Sequence, residues 1–267
     1  MRDKRVSLAE AAGAVRDGTI LAVGGNTLHR APVALLHELI RSGVTGLELV
    51  KTAGSYDIDV LCAAGTVRAV AAGYVGYETP FGMAPAYRRA VEGGVVEARE
   101  HVCASVIAGL RAAAQGVPFM PMAGLRGSDL PTARGFARVA NPYGQGDVVV
   151  IPAIAPDVVV IHAQEADVAG NARLEGSPFE DVLMAHAGRR VLVTAERIVP
   201  ALDADGVTIP GFMVDMVIHA PRGASPLSCP GEYDWDESWL ASWIAAAKTD
   251  DGARAFIDER IRSVVTR

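Results

Sequence analysis

The chain has 267 residues, half of them hydrophobic, which is enough to build a large core and is incompatible with disorder. Its net charge of −6 argues against nucleic acid as the main partner, because phosphate binding needs a concentrated basic face. No apolar run approaches the ~20 residues that span a bilayer, and the charged start Met1-Arg2-Asp3-Lys4-Arg5 has no apolar signal core, so the expectation is a cytoplasmic protein with no membrane partner.

Ser7-Leu8-Ala9-Glu10 is a capping box and opens a helix over 8–16. Asp17-Gly18 turns the chain into a strand over 19–23, whose unbroken apolar run suits burial on both faces. Gly24-Gly25-Asn26 follows, then a polar stretch, then Pro32 opening a helix over 32–42. That helix carries Leu35, Leu36, Leu39 and Ile40 on one stripe and is closed by Gly43. Next come a strand over 47–52, a helix over 58–64, a strand over 67–72, a helix over 85–93, a strand over 95–99 and a helix over 105–115. The stretch 118–142, rich in Gly, Pro and Met, reads as a long irregular segment. Strands over 148–151 and 158–163 resume the pattern. A turn over 167–172, a helix over 181–187 and strands over 191–194 and 214–219 follow, and helices over 237–247 and 252–265 close the chain. This alternation predicts an α/β fold, an open and mostly parallel sheet with helices on both faces, as one domain over 1–267. Ligands of such sheets sit at the carboxyl ends of the strands.

Three places carry possible chemistry. Two glycines after a buried strand let bare N–H groups approach a ligand, although the same pair also makes a plain tight turn. No Gly-x-Gly-x-x-Gly lies on 24–29 and there is no Walker loop, so the turn names no ligand. Glu78 lies between Tyr77 and Phe81 in a Gly- and Pro-rich loop, where a partly dry setting would raise its pKa and free it for acid, base or nucleophile work; a solvated loop glutamate is the plainer reading. Ser128 and Asp129 offer a hydroxyl and backbone N–H groups to a carboxylate or phosphate, or simply make a turn. His162 reads as a buried, satisfied imidazole. Cys62, Cys103 and Cys229 form no Cys-x-x-Cys pair and the six histidines no His-x-x-x-His, so no metal is expected. No Gly-x-Ser-x-Gly elbow is present. These residues amount to a backbone-lined site for an anion or carbonyl, without a complete catalytic set.

Five stretches, in their order and spacing, carry a resemblance. They are 18–32 with its Gly-Gly turn; 73–92, ending Ala84-Pro85-Ala86-Tyr87-Arg88-Arg89-Ala90-Val91-Glu92; 113–128, with Pro118-Phe119-Met120-Pro121 and Gly127-Ser128; 161–171, with His162-Ala163-Gln164-Glu165; and 209–224. Over nearly its whole length the chain resembles the alpha (A) subunit of family I coenzyme A transferases, of the glutaconate CoA-transferase kind. The resemblance implies transfer of CoA from an acyl-CoA to a carboxylate acceptor through a mixed anhydride and a glutamyl-CoA thioester. CoA is then a substrate, and no cofactor is bound permanently. In two-chain members the attacking glutamate belongs to the beta subunit, in a Ser-Glu-Asn-Gly type of segment that this sequence lacks. The implied partner is therefore a beta subunit, in an α2β2 assembly. Gly24, Gly25 and Asn26 would donate N–H groups to the developing oxyanion. Gly76, Tyr77, Thr79, Gly127 and Ser128 would bind substrate, with Glu78 as the catalytic candidate on this chain. Pro80 and Glu78 stand where glutaconate enzymes carry small polar residues, and a carboxylate there disfavours a second carboxylate on the substrate.

Two alternatives are carried. One is a related branch that hydrolyses a cyclic acyl-CoA in steroid-ring degradation. Its alpha chain uses a glutamate just after the stretch matching 95–100, where this sequence has His101-Val102-Cys103-Ala104. The other is a non-catalytic ligand-binding domain of the same fold.

Overall fold

The computed structural model describes residues 3–79 and 81–263. Pro80 and the last residues of the closing helix, 264–265, lie outside the described residues. In chain order the elements are β1 (Arg5–Val6), α1 (Leu8–Ala12), β2 (Ile20–Val23), α2 (Val33–Ser42), β3 (Leu47–Gly54), α3 (Tyr56–Ala63), β4 (Val67–Val75), α4 (Pro85–Glu92), β5 (Glu97–Glu100), α5 (Cys103–Ala114), β6 (Phe119–Met122), α6 (Leu130–Ala133), β7 (Arg138–Ala140), β8 (Asp147–Pro152), β9 (Val158–Asp167), β10 (Ala172–Arg173), α7 (Asp181–Ala187), β11 (Val191–Val199), β12 (Met216–His219), α8 (Glu237–Ala246) and α9 (Asp250–Ile257).

The main sheet runs β1-β12-β11-β9-β2-β3-β4-β5, all parallel, with β10 added antiparallel to β9. The expected α/β sheet is present. One core packs α1, α2, α3, α8 and α9 on one face, and another packs α5 and α7 on the opposite face. Strand order reverses at the centre, where Leu21, Ala22 and Val23 of β2 pair with Val158, Val159 and Val160 of β9.

Several element ends differ from the sequence reading for identifiable reasons. The Ser7–Glu10 capping box forms, with Glu10 Oε2 accepting the Ser7 N–H at 2.8 Å. The helix nevertheless ends at Ala12, because the next bonds, Ala14 N–H to Ala11 and Val15 N–H to Ala12, tighten the chain into i→i−3 turns. Pro32 caps α2 from outside rather than opening it. β4 continues to Val75 and β11 to Val199, because their neighbours keep supplying ladder partners (Gly54 opposite Val75, Asp167 opposite Val199).

The larger correction concerns 118–142. This stretch is not irregular throughout: β6 and β7 flank β8 in a three-stranded antiparallel sheet with its own small core of Ala108, Leu125, Phe136, Val149 and Ile151. The strand at 148–151 therefore belongs to this small sheet and does not rejoin the large one.

Candidate active site at the strand ends

The turn after β2 is built from both halves of the chain. Gly25 has φ +74, and a Cβ there would meet the His29 carbonyl oxygen at 2.4 Å and Arg30 backbone atoms at 2.6 Å. Only glycine fits that left-handed, crowded position. The Gly25 N–H donates to Asp181 Oδ1 at 2.8 Å, and Asp181 Oδ2 pairs with Arg30 at 2.5 Å, both side chains fully buried. On the other side Lys51 Nζ donates to the Gly24 carbonyl at 2.7 Å and pairs with Asp57, again fully buried. Two fully buried ion pairs of the protein's own thus brace the turn beside the point where strand order reverses, a usual ligand position in such sheets.

This changes the expectation for the turn amides. Gly24 N–H donates to Val160, Gly25 N–H to Asp181, Asn26 N–H to His29 and Thr27 N–H to Ala53. All four are engaged inside the chain. Glycine is required here for close packing rather than for an open amide wall.

A second group of polar side chains lies one step along the edge, over the ends of β2 and β3, with Thr27 and Thr52 buried, Asn26 and Glu180 half-buried, and Glu78 and Cys103 exposed. The Thr27 hydroxyl donates to Glu78 Oε1 at 2.8 Å. The Asn26 side-chain amide lies 3.5 Å from the Thr52 hydroxyl, which donates to Glu180 Oε2 at 2.7 Å. Cys103, first residue of α5, donates its thiol to the Thr52 carbonyl at 3.4 Å. Burial and the nearby Glu180 carboxylate push this thiol's pKa up, so it stays protonated near neutral pH. The amides of Cys103 and Ala104, the first two of α5, have no partner within the helix and sit at its positive end, whereas the Ser105 N–H donates to the Val102 carbonyl. They can approach β4 closely because Gly73 has no side chain; a Cβ there would come within 2.3 Å of the Cys103 nitrogen.

The remaining predicted residues divide. Glu78 is exposed rather than held in a dry aromatic setting, because its neighbour Tyr77 points inward, 1 % exposed, with its hydroxyl donating to Asp59 at 3.1 Å. Thr79 is exposed; Gly76 is buried, and its N–H donates to the Gly54 carbonyl. Gly127 (φ +75) and Ser128 form a turn in which Ser128 Oγ accepts the Leu130 N–H at 3.2 Å. Ser128 also lines a cleft of about 390 Å³ with Gly73, Tyr74, Glu100 and Val102. Val102 and Cys103, adjacent in the chain, connect that cleft to the Thr52–Glu180 cluster. His162 is buried and satisfied as read, with Nδ1 against Thr194 and Nε2 against Glu196, each at 2.8 Å. Burial lowers its pKa.

Thr52 and Glu180 were missed by sequence reasoning, and Cys103 was read only as a free thiol. Thr52 closes a predicted strand, and a residue at a strand's carboxyl end in such a sheet is a usable signal. Glu180 sits in a loop before a short helix and carries no motif.

A family model described as Coenzyme A transferase matches residues 5–220. The chain is 32% identical to the alpha (A) subunit of glutaconate CoA-transferase from Acidaminococcus fermentans over 92% of this chain and 83% of that protein. The crystal structure of the glutaconate coenzyme A-transferase from that organism superposes with a TM-score of 0.93 at 31% identity, covering 98% of this chain and 89% of that one. The cholesterol ring-cleaving hydrolase IpdA subunit of Mycobacterium tuberculosis is 32% identical over 96% of this chain and 92% of its own length. An uncharacterized protein of Archaeoglobus fulgidus is 37% identical over 99% of this chain, which spans 60% of that protein's length. Among the described residues no helix is long and apolar enough to cross a membrane. With a family model over most of its length and relatives matched nearly end to end, the chain belongs to the coenzyme A transferase family as an alpha-type subunit.

Proposed function

We propose that the chain is one half of a two-chain enzyme that moves CoA from an acyl-CoA to a carboxylic acid, with the attacking glutamate on a beta-type partner. The observation that carries this reading is the end-to-end likeness to the alpha-type chain of the glutaconate enzyme, in a sequence without a Ser-Glu-Asn-Gly segment of its own. The partner's glutamate carboxylate attacks the thioester carbonyl and expels CoA thiolate, giving a mixed anhydride. The thiolate then attacks the glutamyl carbonyl and releases the acyl group as its carboxylate. The acceptor carboxylate reverses both steps and leaves as the new acyl-CoA. Two easier displacements replace one difficult exchange.

The contribution of this chain is the wall facing that chemistry. Because the amides of Gly24, Gly25 and Asn26 are engaged, the oxyanion role passes to the Asn26 side chain and the first amides of α5. Glu78 and Glu180, each fixed by a threonine hydroxyl, border the acyl and acceptor groups. Thr79, Gly127 and Ser128 line the approach, and Gly76 and Tyr77 support it from the core. The assembly is α2β2, the site is in the cytoplasm, and the substrates are an acyl-CoA and a carboxylate without a second acidic group.

Glu180 favours one second reading, a hydrolase that opens a cyclic acyl-CoA. It brings a carboxylate beside Cys103, near the position where the ring-hydrolase branch carries its glutamate.

The deciding experiment assays each chain alone and mixed, with labelled acetyl-CoA and a panel of acids, and with a cyclic acyl-CoA in water. Transfer only in the mixture, with ping-pong kinetics, supports the transferase. Water consumption with a cyclic substrate and no exchange of label supports the hydrolase. Full transfer by this chain alone overturns the division of labour.

A further inference from the structure

We propose that a half-open cleft of about 210 Å³ between the main sheet and the small antiparallel sheet binds a small monocarboxylate through the guanidinium of Arg134. The cleft lies where the small sheet folds back over the starts of β2 and β3. Its walls are largely apolar, with Phe136 and Ile154 among them. Three charged side chains line it: Glu48, Arg99 and Arg134.

The charges are not balanced. Both Glu48 oxygens are engaged, Oε2 by Arg68 at 2.7 Å and Oε1 by Arg99. Arg99 also pairs with Glu97 at 3.2 Å. Among the described residues Arg134 has no acidic partner, and its Nε is buried without a hydrogen-bond partner. The guanidinium lies over the Phe136 ring, 5.6 Å from its centroid, and the His101 ring stands against the same phenylalanine at 5.6 Å. His101 adds no charge at neutral pH, since burial and Arg134 push its pKa down to about 4.

A buried donor without a partner costs free energy, and a carboxylate relieves that cost with two parallel N–H···O bonds. The surrounding wall selects the rest of the ligand. Apolar side chains suit a short alkyl tail and give nothing to the remaining oxygens of phosphate or sulfate. The volume lies below the ~300 Å³ at which drug-sized pockets begin, so the tail is short. This inference is independent of the transfer reading, since it uses neither the beta-type partner nor the strand-end cluster.

The test uses the full-length chain and 4,4,4-trifluorobutyrate followed by fluorine NMR. The expected result is saturable binding, displaced by butyrate and not by butanol or inorganic phosphate. R134Q is expected to weaken it roughly tenfold or more, by loss of the bidentate pair. R126Q, at an exposed arginine of the same segment, is expected to leave it unchanged. R134K, which keeps the charge and loses the planar fork, is expected to fall between wild type and R134Q, and it substitutes for R134Q should that variant fail to fold. Equal affinity in wild type and the Arg134 variants overturns the proposal. Displacement by phosphate as effective as by butyrate overturns the assignment to a carboxylate.

Discussion

Asp59 on α3 shows what one buried carboxylate does to the molecule. It accepts from the Tyr77 hydroxyl at 3.1 Å, the Trp243 indole at 2.9 Å and the Tyr87 N–H at 2.8 Å, joining α3, the loop after β4, α4 and α8. Burial outweighs these donors and raises its pKa from 3.8 to about 6. A raised carboxyl pKa means that the folded state holds the proton more tightly than the unfolded chain. Its stabilising contribution is complete below pH 3.8 and declines as pH rises through about 6. D59N removes that proton, so the difference in stability between variant and wild type should shift in the variant's favour from pH 4 to pH 7, read as urea midpoints at each pH. A constant difference would contradict the assignment. At this scale the sequence was readable for side chains with local rules, such as Ser7 and Glu10. It was not readable for Tyr77 and Glu78, whose neighbouring positions point opposite ways because the loop packs one against α3 and turns the other to Thr27. Nor was it readable for Glu180, whose partner Thr52 lies 128 residues away.

The turn between β2 and α2 belongs to the element scale. An alanine at position 25 places a Cβ in contact with backbone at 2.4–2.6 Å, and backbone cannot swing aside as a side chain can. G25A should therefore cost about 2–4 kcal/mol of stability, visible as a lower denaturation midpoint, rather than affecting turnover alone. A midpoint equal to wild type would show that the turn relaxes freely. Elements with strong periodicity and clear ends were legible: α2, with its apolar stripe and Gly43, is an example. The small antiparallel sheet was not. β6 alternates exposed with half-buried residues, and all three residues of β7 are exposed, so neither carries an apolar pattern. What holds them is β8, and a partner strand distant in sequence leaves no local trace.

Across the whole molecule, the sheet joins two runs of strands back to back, β2 to β5 on one side and β9 to β1 on the other. The α/β class was legible because that alternation is written into hydrophobic spacing; the seam between β2 and β9 was not, because spacing says nothing about which strands become neighbours. If the beta-type partner closes over the edge carrying Asn26, Thr52 and Cys103, its addition should slow hydrogen exchange at the first amides of α5. Protection confined to other surfaces would remove that edge from the shared site. The buried pair of Arg30 and Asp181 adds a constraint of timing. A nascent polypeptide interrupted before residue 181 leaves Arg30 without its counter-ion and Gly25 without its acceptor, which lies 156 positions further along the chain. The ribosome must therefore deliver about two thirds of the protein before the turn after β2 can settle, and a prematurely released fragment keeps Arg30 as an uncompensated charge.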